Sequence, residues 1–219
     1  MGTPNMRLAR IEHQSPHDGP GLRTVVWFAG CSLRCAGCIN PQLWPTQSGD
    51  EWSSADVKRM LSRGQTKNDH GVTFVGGEPF EQPQALAQLA EFVHATWTAR
   101  EDTPLTIAYS GYRLEELVAF RDPSILRALN ALDVLVDGRF IADQHDSTLG
   151  YRGSRNQRVL DLRAYRSSGT PRLLNAEWDQ PRVTIYPNQI VMSSQLAARL
   201  KIQTASARQC GEIESTTTR

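Results

Sequence analysis

Apolar positions along the chain follow two rhythms. Residues 23–28 (Arg-Thr-Val-Val-Trp-Phe) are β-branched and aromatic and lead to Gly30, which predicts a buried strand. Three further runs have the same character, at residues 72–75, 105–109 and 134–136. Between them the apolar residues recur at helical spacing. Ser53 or Ser54 caps a predicted helix through Val57, Met60 and Leu61, with Gly64 placed as its stop signal. Leu86, Leu89, Ala90, Val93 and Trp97 mark one buried face of a helix from Pro83 to about Thr98, the clearest in the chain. Residues 114–120 and 124–132 read as two shorter helices.

Strands alternating with helices imply βαβ crossovers and an α/β fold built on a mainly parallel sheet, open or curved towards a barrel. In such folds the chemistry gathers at the carboxyl ends of the strands. Four unusual loops each follow a predicted strand: the cysteine cluster Cys31, Cys35 and Cys38; Gly76-Gly77-Glu78-Pro79; Ser110-Gly111; and Asp137-Gly138. They are expected to converge on one rim. From about Arg166 the pattern changes, through Gly169-Thr-Pro171 to a strand pair expected around residues 183–186 and 189–192. The expected organisation is a core over residues 1–165, a small C-terminal extension with a β-hairpin over 166–205, and a polar, disordered tail over 206–219. No internal repeat is present.

Composition adds exclusions. The 219 residues carry 24 Lys plus Arg against 23 Asp plus Glu, a formal net charge of +1, so no electrostatic argument favours nucleic acid or an anionic membrane as partner. No stretch approaches the roughly 20 apolar residues of a membrane span, and residues 1–10 lack the apolar core of a signal peptide, so a cytoplasmic location is expected.

Three of the four cysteines fall within eight residues, as Cys31-x3-Cys35-x2-Cys38, and Cys210 is distant. Such a loop does not pair its thiols efficiently as disulfides, and in a cytosolic chain a tight cluster is metal-binding or catalytic more often than structural. Structural zinc would need a fourth ligand, for which His13, His17 or Cys210 are candidates, but its usual signature is two separated pairs. An iron-sulfur cluster on three cysteines leaves one iron without a protein ligand, the open position of a catalytic site.

With its flanks, Asp18-Gly-Pro-Gly21-Leu-Arg-Thr24 and Gly30-Cys-Ser-Leu-Arg-Cys-Ala-Gly-Cys-Ile-Asn-Pro41, the cluster resembles the radical S-adenosylmethionine activases. The resemblance runs from about Arg10 to Leu162 and includes Gly76-Gly-Glu-Pro79, Tyr109-Ser-Gly-Tyr112, Asp133-Val-Leu-Val-Asp-Gly138 and Arg152-Gly-Ser-Arg-Asn-Gln157. It implies a partial (β/α) barrel of the radical SAM type. It implies two cofactors: a 4Fe-4S cluster on Cys31, Cys35 and Cys38, and S-adenosyl-L-methionine chelating the fourth iron. One electron from the cluster then splits the sulfonium, and the 5'-deoxyadenosyl radical takes a hydrogen atom from a substrate held nearby.

The implied substrate is a glycine of a partner glycyl radical enzyme, anaerobic ribonucleoside-triphosphate reductase foremost, with a flavodoxin or ferredoxin type electron donor. A stand-alone enzyme acting on a small molecule or peptide is the competing reading, because the residues after Leu162 exceed what the shortest activases contain. By resemblance Gly76 and Gly77 approach the methionine amino group, where a Cβ would obstruct, and Glu78 supports that loop. Gly37, Cys38, Ile39 and Asn40 lie near the adenine, with Ile39 standing where the family commonly has histidine. Ser110 belongs to the same set. Asp137 contacts polar groups of the cofactor or a cation, or else caps a helix. Arg152, Arg155, Asn156 and Gln157 form a polar loop facing cofactor, partner or solvent, and Asp18 and Arg23 are placed to shield the cluster. Beyond the cluster no catalytic side chain is expected.

Overall fold

The computed structural model describes residues 5–99, 103–179, 183–186 and 189–192. The expected tail over 206–219 and Cys210 lie outside them. The four strands read from sequence are present as β2 (Arg23–Phe28), β4 (Gly71–Gly76), β5 (Thr106–Ser110) and β6 (Val134–Asp137). They pair in parallel in that order. The predicted helices appear as α1 (Ser54–Thr66), α2 (Pro83–Thr96), α3 (Leu114–Ala119) and α4 (Pro123–Ala131).

Antiparallel strands extend this parallel centre on both sides. β1 (Met6–Ser15) lies between β2 and β3 (Asp50–Trp52), while β7 (Arg158–Asp161) pairs with β6 and carries β8 (Arg172–Leu173) on its outer edge. The result is one mixed eight-stranded sheet in the order β3-β1-β2-β4-β5-β6-β7-β8, with β3 and β8 at its two ends. It does not close on itself. α5 (Leu162–Ser168) and α6 (Asn175–Trp178) flank β8, and β9 (Val183–Tyr186) and β10 (Gln189–Met192) form a separate antiparallel pair at the two expected runs.

Strand alternation sends side chains to two different environments. Val26 and Phe28, Val72 and Phe74, Ala108, Leu135 and Leu160 pack under the helices with Leu61, Leu86, Leu89, Val93 and Leu129. Ile107, Val134, Val136 and Val159 point to the opposite face, where Leu174 and Trp178 cover them. The amino ends of the central strands are tied by Arg23, whose guanidinium is fully buried. It donates to the carbonyls of Pro20, Val72, Pro104 and Leu105 at 2.9 to 3.3 Å and to Thr73 Oγ1 at 2.5 Å. No carboxylate pairs with it among the described residues, and burial lowers its pKa to about 10.

Arg23 therefore fixes the end of the sheet away from the cysteine loop, and the expectation that it shields a cluster there is corrected. Five residues of extended chain, roughly 16 Å, separate it from the end of β2. The stop assigned to Gly64 is also corrected: α1 continues to Thr66, capped at its start by Ser53 Oγ, which accepts from the Asp56 amide at 3.1 Å. Gly64 is required by contact with the sheet, because a Cβ there would lie 2.0 Å from Thr24 Oγ1. Glycine within a helix costs about 1 kcal/mol relative to alanine in isolation, yet overpacking dominates at Gly64 in the last turn of α1. Gly64→Ala is expected to lower the unfolding free energy by about 1 to 3 kcal/mol, read as a reduced urea midpoint; a raised midpoint would show that α1 yields freely.

Candidate cofactor site

Register alone places the four loops. Phe28 pairs with Gly76 and Ser110 with Asp137, while Phe74 pairs with Ala108, which brings Gly76 level with Ser110 two residues later. All four predicted loops therefore leave the sheet along one rim.

The cysteine loop departs from β2 at Phe28 and is closed at its base by Gly30 N donating to Leu43 O (2.9 Å) and Cys31 N to Trp44 O (3.0 Å). Cys38 N donates to Cys35 O at 3.1 Å, forming a tight turn. Gly37 within it has a φ of +76°, and a Cβ there would meet the Phe140 ring at 3.2 Å. The three thiols are half-buried and unpaired. Burial raises the Cys31 pKa, opposed by the Leu33 and Arg34 amides and reinforced by the negative charges of Glu78 and Glu81. Ile39 is 89 % exposed beside Cys38, and Asn40 accepts from Leu43 N through its backbone carbonyl at 3.0 Å.

The Gly-Gly-Glu-Pro loop is stitched to the start of the cysteine loop. Gly77 N donates to Phe28 O and Glu78 N to Gly30 O, both at 2.8 Å. The approach is so close that a Cβ on Gly76, at φ +112°, would lie 2.4 Å from Phe28 O, and one on Gly77 would lie 2.1 Å from Gly30 O. Both glycines are dictated by that contact.

Glu78 joins this loop to the next. Its buried carboxylate accepts from Phe80 N (3.0 Å), Ser110 Oγ (3.0 Å) and Gly111 N (2.8 Å). Ser110 Oγ in turn accepts from Tyr112 N at 3.0 Å. Burial pushes the Glu78 pKa up to about 7 despite these three donors. Asp137, also fully buried, accepts from Leu114 N at 2.8 Å, the first amide of α3, and from Arg158 Nε (2.9 Å) and Nη2 (2.5 Å). Its carboxylate thus caps a helix and pairs with a cation. Gln157 and Asn156 fold the polar loop back onto the rim, donating to Gly138 O (3.0 Å) and Arg139 O (2.8 Å).

Several residues here had no sequence signal. Glu81 accepts from both Ser32 N (2.7 Å) and Ser32 Oγ (2.6 Å), 49 positions away, holding the residue that follows Cys31. Phe140 packs between Gly37 and Gly153, and Arg158 links Asp137 to Glu115. The candidate zinc histidine His13 bonds Thr24 near the amino end of β2, remote from the cysteines.

Comparison with known proteins bears on this rim. Residues 17–160 match the 4Fe-4S single cluster domain family. The anaerobic ribonucleoside-triphosphate reductase-activating protein of Salmonella typhi is 32 % identical over 151 residues, covering 67 % of this chain and 92 % of that protein. The protein of the same description from Escherichia coli K12 is 30 % identical over the same shares. Pyruvate formate-lyase-activating enzyme of Clostridium pasteurianum is 42 % identical over 86 residues, 38 % of this chain and 36 % of that enzyme. The chain belongs to the 4Fe-4S single-cluster family of these activating proteins. It is the family that the motifs resembled, the radical S-adenosylmethionine activases.

The rim fits the family's cofactors on its own chemistry. Thiolates are the soft ligands that iron-sulfur clusters take, and these three stand unpaired and half-buried in one loop. Among the described residues, no three Cys, His, Asp or Glu side chains are gathered to hold a single metal ion. Beside the thiols, the absent side chains of Gly76 and Gly77 let their loop close onto the backbone of Phe28 and Gly30, so the reason for glycine at these positions is contact with the cysteine loop and not clearance for a ligand. No helix among the described residues is long and apolar enough to cross a membrane.

A buried carboxylate at the centre of this activating-protein rim has a thermodynamic signature. The folded pKa of Glu78 exceeds its ordinary 4.5, so its contribution to stability is full below about pH 4.5 and is lost as pH rises to 7. Glu78→Gln removes that loss. Its stability relative to wild type is expected to rise between pH 4.5 and 7.5, by on the order of 3 kcal/mol at most, in urea unfolding of the full chain. A difference independent of pH would show that Glu78 is ionised throughout.

Proposed function

We propose that this protein activates an anaerobic ribonucleoside-triphosphate reductase by generating a glycyl radical on it. The observation that carries this reading is the joining of the cysteine loop to the Gly-Gly-Glu-Pro loop by two backbone hydrogen bonds of 2.8 Å at one sheet rim. In it Cys31, Cys35 and Cys38 would hold a 4Fe-4S cluster, which when bound would supply the electron for reductive cleavage of S-adenosylmethionine and hence for removal of a hydrogen atom from the partner's glycine. The sheet is read as the partial β/α barrel of that chemistry.

The residues around the cluster loop each have a positional task. The backbones of Gly76 and Gly77 receive the methionine end, and Gly37, Cys38, Ile39 and Asn40 line the adenine end. Glu78, through Ser110 and Gly111, keeps the β4 and β5 loops at fixed separation, and Asp137 with Arg158 does the same for α3 and β6. Such fixed geometry matters because displacements of about 1 Å can cost roughly a hundredfold in rate. The partner's glycine-bearing segment supplies the substrate, and a flavodoxin or ferredoxin type protein in the cytoplasm supplies the electron.

Anaerobically reconstituted, reduced protein given S-adenosylmethionine is expected to form 5'-deoxyadenosine, and Cys35→Ala to form none. Gly77→Ala is expected to retain its iron and sulfide but to lose roughly tenfold to a hundredfold in rate, because its Cβ displaces the loop. Chromatographic assay of 5'-deoxyadenosine checks both. Unchanged formation by Cys35→Ala would overturn the ligand assignment.

A further inference from the structure

The match to the 4Fe-4S single cluster family ends at residue 160, yet the chain continues into residues that pack against the site. Leu174 N donates to Val159 O at 2.7 Å, and Asn175 Oδ1 accepts from Val159 N at 2.7 Å, docking α6 along β7. Leu174 and Trp178, 3 % and 5 % exposed, then cover Ile107, Val134, Val136 and Val159 on a face of the sheet that no other helix covers among the described residues.

This docking reaches the rim. Trp178 packs edge-on against Tyr151, with ring centres 5.4 Å apart, and Tyr109 Oη donates to Tyr151 O at 2.9 Å. Gly150 approaches so closely that a Cβ would lie 2.0 Å from Trp178 O, and its amide donates to Asp179 Oδ1 at 2.9 Å. The other Asp179 oxygen pairs with Arg152, whose side chain is 4 % exposed and also donates to Gln157 O at 2.9 Å. Gln157 holds Gly138, Asn156 holds Arg139, and Phe140 bears on Gly37 of the cysteine loop. An unbroken series of contacts thus runs from Asp179 to the loop of Cys35 and Cys38.

With Arg152 buried and Asp179 still 23 % exposed, this salt bridge adds little net stability, since desolvation of the guanidinium offsets most of the attraction; what it fixes well is geometry. We propose that residues 174–179 form a brace, with Trp178 and Asp179 as positioning residues, that holds the 150–157 loop and the neighbouring cysteine loop in the arrangement that meets the partner's substrate segment. The proposal rests on the activase reading for its consequence and on the contacts above for its existence.

Asp179→Asn and Trp178→Phe in the full chain test it. Asp179→Asn is expected to lose amide-exchange protection by about tenfold in residues 150–157, 138–142 and 31–40, with α2 and β4 unaffected. Trp178→Phe, which keeps an aromatic edge against Tyr151, is expected to retain most of it. In activation of the partner enzyme, Asp179→Asn is expected to raise the apparent KM for the partner by about fivefold or more, a larger change than its effect on kcat or on partner-independent S-adenosylmethionine cleavage. Protection loss confined to 174–179 or spread evenly over the sheet would overturn the brace, as would an unchanged KM with the loop loosened. Were the wild-type protein to cleave no S-adenosylmethionine, the activase reading would fail and the exchange pattern alone would decide the brace.

Discussion

Parallel register across β2, β4, β5 and β6 is the constraint from which the site follows. Once Phe28, Gly76, Ser110 and Asp137 stand level, the loops after them have one edge to share. Arg23 secures the opposite end by donating five hydrogen bonds across the strand starts. A buried guanidinium without a carboxylate is costly to desolvate, so its worth lies in the several carbonyls it satisfies at once.

At the rim, adjacent loops are held by atoms of one another rather than by packing alone. Backbone amides of Gly77 and Glu78 bond the end of β2 and the start of the cysteine loop, and the Glu78 side chain bonds the loop after β5. Glu81 repeats the device towards Ser32, and Asp137 with Arg158 towards α3. Three acidic side chains thus divide the work of positioning, while the thiols themselves are left unpaired in a half-buried loop. That division suits a site whose chemistry comes from bound cofactors and whose protein contributes position and exclusion of water.

The central strands were legible in the sequence because a strand buried on both faces is a continuous apolar run bounded by glycine or polar residues. β1 was not, since Met6 and Leu8 alternate with half-exposed and charged residues over a strand with a partly exposed face. β7 is bracketed by Arg158 and Asp161, and β8 is two exposed residues, so neither carries an apolar pattern. Gly64 shows where a local rule yields to tertiary contact: its absent side chain answers to Thr24, forty positions earlier. The cysteines of the site were read from spacing, and its glycines from their place after a strand and from the family resemblance, whereas Glu81, Phe140 and Arg158 act on residues distant in sequence and have no spacing to betray them. Asp137 carried two readings, a contact with the cofactor or a cation and a helix cap; its bond from Leu114 N realises the cap, and Arg158 supplies a cation beside it.

The claim at the centre of this account is that the rim transfers a hydrogen atom from a glycine of a partner enzyme. Electron paramagnetic resonance tests it most directly, on an anaerobic mixture of the reduced protein, S-adenosylmethionine and an anaerobic ribonucleoside-triphosphate reductase. The account predicts a glycyl-radical doublet on the reductase that requires all three components and is absent with Cys35→Ala. Formation of 5'-deoxyadenosine without any radical on the reductase would contradict it and assign the hydrogen donor to a different class of substrate.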